Sequence, residues 1–298
     1  MTKVLFIVNP NALKGKITKY IPQMLKNLKE KNFEVNLQYT KKEYSADKII
    51  ENNKNKFDLV ICCSGDGTVN EIINAMMQFN TKTPIGLIPL GTMNDFAHGI
   101  EVSFNKLDLS RNISKYVIKK SDTGKFNDQY FNYVAAFGTF SNVGYETPNL
   151  WKRKIGKIAY FLKAFIELFR INKYEIEAKI DKEIVRGRYI YMSISNSKTI
   201  ARIPWFSKKI VNFDDGKFEI LLIKSPKYFI QLIPIFFSLI FHKYKNKHII
   251  FKQASQIEIE FHEEVPWTLD GEFGGKVKKA QIKNIEKNIE YLVPNKEK

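Results

Sequence analysis

The chain has 298 residues and a formal net charge of +17, from 48 Lys and Arg against 31 Asp and Glu. At 44% hydrophobic it can bury a sizeable core, which excludes disorder as its dominant state, and its length predicts two domains of about 150 residues each. Its two cysteines, Cys62 and Cys63, are adjacent, which excludes a disulfide scaffold and favours a reducing, cytoplasmic compartment.

The first residues carry a short apolar run without a small-residue cleavage site, so they read as a buried strand at 4–8 rather than a signal peptide. A basic loop and a helical pattern follow to about 31, then an alternating strand at 33–39 and a helix at 46–53. Residues 57–63 form a continuous apolar run, the mark of a strand buried on both faces. Helical spacing at 68–77 puts Ile72, Ile73, Ala75 and Met76 on one face, and 85–88 repeats the buried-strand signal. This β-α-β-α-β alternation predicts a parallel sheet covered by helices.

Beyond about residue 120 polar turns separate aromatic, β-branched runs at 130–140, 174–180, 188–194, 218–223 and 256–261, with helices at 158–169 and 229–241. That pattern predicts a mainly antiparallel second domain. The uncharged stretch 228–241 falls short of the roughly 20 residues of a membrane span; a buried helix is expected there, with a membrane-dipping surface as the alternative. The charge points to nucleic acid, an anionic membrane or a polyphosphate. Basic and acidic residues interleave along most of the chain, and no zinc-finger or aromatic RNA-binding signature occurs, so nucleic acid is not expected. The densest basic patch, 151–157, leads from Trp151 into an apolar segment and suits either an anionic bilayer face or the charged first turn of a core helix.

Three acidic elements carry the candidate chemistry. Gly65-Asp66-Gly67-Thr68-Val69-Asn70-Glu71 lies between a buried strand and a helix, where glycines allow close phosphate approach and a helix amino end offers N–H groups. Gly91-Thr92-Met93-Asn94-Asp95 follows the next strand, so two turns each carry an Asp, an arrangement suited to a magnesium nucleotide; Asn94-Asp95 would equally serve as a helix cap. Downstream, Asp270-Gly271-Glu272 reads as a hairpin turn, or as a turn that presents Glu272 as a general base.

Together these elements resemble the diacylglycerol kinase catalytic-domain family, with soluble bacterial lipid kinases nearest. Asn9-Pro10, Thr40, the stretch from Tyr145 to Tyr160, and Asp214-Asp215-Gly216 are similar to further family features. The resemblance implies an α/β + β protein. An N-terminal α/β nucleotide-binding domain (NAD kinase/diacylglycerol kinase-like) would cover 1–124, rejoined by about 286–298, and a C-terminal mainly antiparallel β-sandwich would cover 125–285, with the active cleft between. It implies that Asn9, Pro10, Asn11, Thr40, Gly65 to Glu71 and Thr92 contact ATP. Glu272 would take the acceptor proton, with Asp66 and Asp95 also essential. A structural Mg²⁺ would use the Asp215 carboxylate and the carbonyls of Asn212 and Lys217; a plain β-turn at Asp214-Asp215-Gly216 would look identical in sequence.

Ser64 stands where the family pattern has a first glycine, the Asn9-Pro10 loop lacks the usual Ser-Gly, and 195–210 lacks a glycine-rich stretch. Arg202 and Trp205 in that last segment are candidates to shape an acceptor pocket. The expected function is ATP-dependent phosphorylation of a lipid hydroxyl, diacylglycerol first, by a cytoplasmic protein peripherally bound to an anionic membrane and able to form a homodimer. Alternatives are another lipid acceptor (phosphatidylglycerol, a sphingoid base, a polyprenol), NAD, or a catalytically silent lipid-binding protein.

Overall fold

The computed structural model describes residues 1–138, 172–197 and 210–295. The helix expected at 158–169, the basic patch at 151–157, the 145–160 stretch, Arg202 and Trp205 lie outside the described residues. By its contacts the chain divides into two units: Met1–Thr123 with Phe213–Asp215 and Ile285–Lys298, and Gly124–Asn212 with Gly216–Asn284. The sequence reading put all of 125–285 in the second domain; Phe213–Asp215 sit instead with the first.

In the first unit β1 (Thr2–Val8), β2 (Phe33–Tyr39), β3 (Leu59–Ser64) and β4 (Ile85–Pro89) form a parallel sheet in the order β4-β3-β1-β2. Every residue of β3 is buried, as a central strand covered on both faces requires. A kinked 3₁₀ segment, Ala12–Lys19, precedes α1 (Ile21–Lys29). The basic loop expected ahead of the helix is kinked, with Leu13, Lys14 and Gly15 at positive φ, and the helix itself ends at Lys29. α1 buries Ile21, Met24 and Leu28 at helical spacing against Val4, Phe6 and Ile61. α2 (Ala46–Asn53) and α3 (Asp66–Gln78) follow their strands; α3 begins two residues earlier than its apolar spacing suggested. Two short helices, α4 (Asp95–Gly99) and α5 (Asp108–Asn112), lead to β5 (Tyr116–Phe126).

In the second unit the strand pairings among the described residues are antiparallel. β7 (Val134–Gly138) and β8 (Tyr174–Ile180) each bridge two long strands, β9 (Glu183–Ser195) and β12 (Gln256–Leu269). The long strands thus wrap a core that holds Trp267, Phe137, Phe126 and Phe218. β6 (Gln129–Phe131) pairs β5; β10 (Phe218–Lys224) and β11 (Ile249–Ala254) extend the sheet beyond β9. The final strand, β13 (Glu272–Pro294), pairs β12 first; its Tyr291 and Leu292 then run parallel to Ile85 and Gly86 of β4, so the chain end returns to the first unit.

The stretch expected to be a buried helix is a 3₁₀ turn, Phe229–Gln231, and α6 (Leu232–Ile240). Leu232, Ile235 and Leu239 are buried but Ile233 and Phe237 are not. Pro234 sits in its first turn, where the missing N–H costs nothing.

Candidate functional site

Parallel register decides which residues gather. Val8 pairs with both Tyr39 and Cys63, and Ser64 pairs with Pro89. One residue further on, the ladder still holds: the N–H groups of Thr40, Asn9 and Leu90 donate to the carbonyls of Val8, Cys63 and Ser64 at 2.9, 3.1 and 2.8 Å. Thr40, Asn9, Gly65 and the Leu90-Gly91 turn therefore line one carboxyl edge of the sheet, where open α/β sheets bind ligands.

Two glycine turns meet there. Gly65 is the extended N-cap of α3, so the N–H groups of Asp66, Gly67 and Thr68 lie in the first turn with no acceptor in the helix. Val69 is buried, and its N–H donates to the Gly65 carbonyl at 3.3 Å. A side chain on Gly65 would put Cβ 2.9 Å from the Cα of Gly91, and one on Gly91 would meet Gly65 Cα at 2.7 Å. Only glycine at both positions lets the turns pack. Asn94 holds the second turn: with φ of 50° it accepts the Gly91 N–H at 2.7 Å and donates to the Gly91 carbonyl at 2.8 Å. Asn9 Nδ2 donates to Thr68 Oγ1 at 3.5 Å, and Asn9 Oδ1 accepts the Asn11 N–H at 3.0 Å. Thr92 and Glu71 are exposed.

Ser64 does not obstruct the turn. It is buried, its hydroxyl donates to the Gly65 carbonyl at 3.1 Å, and it lies 3.0 Å from Cys62 Sγ.

The acid of the first turn reaches the backbone of the second. Asp66 Oδ2 accepts the Asp95 N–H at 3.2 Å. Burial pushes the Asp66 carboxyl above its usual range, against the pull of N–H groups at Asp95, Phe96 and Asn94. The cap of α4 is thus supplied by Asp66; Asn94, the residue at the N-cap, turns its side chain back to Gly91. Asp95 is 4% exposed.

In the second unit the late acidic element is a two-residue hairpin turn. Leu269 pairs with Glu272, and Asp270 and Gly271 both take positive φ, 51° and 84°, as the tight primed turn demands. The buried Asp270 carboxylate accepts the N–H groups of Asn132, Tyr133 and Val134 and the Asn132 side-chain amide, at 2.7–3.1 Å. Asp270 thereby fixes the hairpin, and Glu272 stands exposed beyond it.

For a metal, Asp215 lies in the first unit; Asn212 and Lys217 belong to the second. All three are exposed. Beside Phe213–Asp215, the Asp122 N–H donates to the Phe213 carbonyl at 2.7 Å, and Asp122 Oδ1 accepts the Lys287 N–H at 2.8 Å. Among the described residues no three His, Cys, Asp or Glu side chains gather as ligands. A carboxylate with main-chain carbonyls still suits Mg²⁺, which takes hard oxygen donors and fills its shell with water. Asp122 is buried in β5, a strand that no alternation marks in the sequence.

A parallel sheet whose carboxyl edge presents two packed glycine turns and a helix amino end defines a nucleotide-binding protein of the diacylglycerol kinase and NAD kinase fold. Residues 3–126 match the diacylglycerol kinase catalytic domain. A diacylglycerol kinase of Staphylococcus haemolyticus (strain JCSC1435) is 28% identical over 293 residues, 97% of this chain and 87% of that one. The Bacillus subtilis (strain 168) diacylglycerol kinase is 25% identical over 298 residues, 99% and 97% of the two chains. A crystal structure of a candidate diacylglycerol kinase from Bacillus anthracis str. Sterne matches with TM-score 0.83 at 26% identity, covering 99% of this chain and 96% of that one. An NAD kinase from Archaeoglobus fulgidus in complex with ATP shares the fold alone, with TM-score 0.52 at 13% identity over 99% and 94% of the chains.

Proposed function

We propose that this chain transfers the γ-phosphoryl group of ATP to the hydroxyl of a lipid, with diacylglycerol as acceptor and phosphatidic acid as product. The observation that carries the reading is the contact between Gly65 and Gly91 at the carboxyl edge of the sheet, in a unit that matches the diacylglycerol kinase catalytic domain. The lipid acceptor is supported by curated relatives of nearly full length.

In this reading Asn9 to Asn11, Thr40, Gly65 to Glu71 and Thr92 hold ATP, its phosphates against the first-turn N–H groups of α3. Glu272 accepts the hydroxyl proton as the acceptor oxygen bonds to the γ-phosphorus and the bond to the β–γ bridging oxygen breaks, leaving ADP. Asp66 and Asp95 keep the two turns in register, so their part is positioning, and catalysis rests on alignment. Bound at Asp215 with the carbonyls of Asn212 and Lys217, Mg²⁺ would supply charge neutralisation and local order. The test is transfer from labelled ATP to mixed micelles of diacylglycerol, phosphatidylglycerol, a sphingoid base or a polyprenol, with NAD beside them. Labelled phosphatidic acid supports the reading; label on NAD alone, or ATP binding without transfer to any acceptor, overturns it.

A further inference from the structure

α6 carries no charged residue, yet its described side chains are buried on one side and exposed on another. Leu232, Ile235 and Leu239, at i, i+3 and i+7, face inward. Ile233, Phe237 and Phe241, at i, i+4 and i+8, are 39%, 51% and 63% exposed, and Ile230 just before the helix is 71% exposed. The rings of Phe237 and Phe241 stack at 6.3 Å. A surface helix of a globular protein ordinarily turns charge outward; this one turns out an apolar stripe, the kind of patch that marks an interaction surface.

The sequence that flanks the stripe carries charge of one sign. Residues 224–253 hold six lysines and no Asp or Glu. Lys227 before the helix and Lys243, Lys245 and Lys247 after it are exposed. Nine residues rise only about 13 Å, far short of a bilayer's hydrocarbon core of about 30 Å, so α6 cannot cross. A second copy packed here about a two-fold axis would set one lysine rim against another. An anionic bilayer answers both features, with acyl chains for the stripe and phosphates for the rim.

We infer that α6 and its lysine flanks form a docking surface for anionic membranes. The helix lies in the interface plane with Ile233, Phe237 and Phe241 at the acyl boundary and the lysines at headgroup phosphates. This surface would bring the proposed lipid chemistry to its substrate, but its binding is measurable without any turnover.

The experiment is co-sedimentation of the full chain, without ATP, with phosphatidylcholine vesicles that do or do not contain phosphatidylglycerol. Wild type binds the anionic vesicles and releases with salt. Replacing Phe237 and Phe241 by Ser weakens partitioning on the order of tenfold or more, from the apolar area lost. Replacing Lys243, Lys245 and Lys247 by Gln lowers anionic binding about fivefold per lysine and weakens its salt dependence. Both variants keep the wild-type circular dichroism spectrum and phosphorylate a short-chain, water-soluble acceptor as wild type does, so a fault in folding or in the kinase reading shows separately. Vesicle binding unchanged in both variants overturns the inference. So does a wild-type dimer that the Phe variant dissociates, or a preference for nucleic acid over vesicles.

Discussion

The carboxylate of Asp66, on the first turn of α3, accepts the backbone N–H of Asp95 at 3.2 Å and so closes the amino end of α4. Burial, its largest influence, lifts the Asp66 carboxyl above 3.8. The charged form is therefore disfavoured in the fold. The resulting destabilisation is absent below the unfolded value, grows as pH rises through it, and is complete above the folded value. Asp66→Asn keeps an acceptor for the Asp95 N–H without the charge. Its urea midpoint should equal or exceed wild type at neutral pH, with the excess shrinking on acidification, while turnover falls. A wild-type advantage that grows with pH would contradict this.

Gly65→Ala places a methyl group 2.9 Å from Gly91 Cα, backbone against backbone, so the turns must separate. Overpacking of this kind costs about 1–3 kcal/mol. The predicted result is a lower melting temperature together with loss of ATP binding by titration. Asn94→Ala should destabilise by about 1–2 kcal/mol, from the reciprocal bonds to Gly91 and a left-handed φ that alanine resists.

Two neighbours in one hairpin should separate in a denaturation experiment. Asp270→Ala leaves three buried backbone donors without their acceptor and should cost about 3 kcal/mol or more in the urea unfolding of the chain. Glu272→Ala, two residues on and exposed, should stay within about 0.5 kcal/mol of wild type.

Both thiols are buried, and burial pushes Cys62 up to about 12. The thiolate is the reactive form, so a thiol reagent at mildly alkaline pH should label neither cysteine in the native protein and both after unfolding. Rapid native labelling would show that β3 opens.

Elements whose pattern had one meaning were legible. The helix at 46–53 and the strand at 174–180 carry the bounds read from the sequence, because Ile49 and Ile50 share a helix face and Tyr174 to Ile180 alternate without interruption. β13 was not legible. Ile282, Ile285, Ile289 and Leu292 follow helical spacing, lysines fill the gaps, and Lys287 takes a φ of 50° that breaks the strand alternation. Only pairing with β12 and β4 decides in favour of a strand. α6 was misjudged because an uncharged run says nothing of how many sides are covered. In the candidate site the glycines could be read from their place after buried strands. The cap that Asp66 forms on α4 could not, since a side-chain direction across 29 residues is a tertiary fact.

The central claim is that Glu272 removes the acceptor proton for a nucleotide held at the Gly65 and Gly91 turns. It is tested most directly by comparing wild type, Glu272→Ala and Glu272→Gln for phosphoryl transfer from labelled ATP to diacylglycerol micelles, with ATP affinity and melting temperature measured on the same preparations. Both variants are predicted to melt and bind ATP as wild type does, yet to lose turnover by about 10²–10⁴-fold. Undiminished transfer in either folded variant would contradict the account.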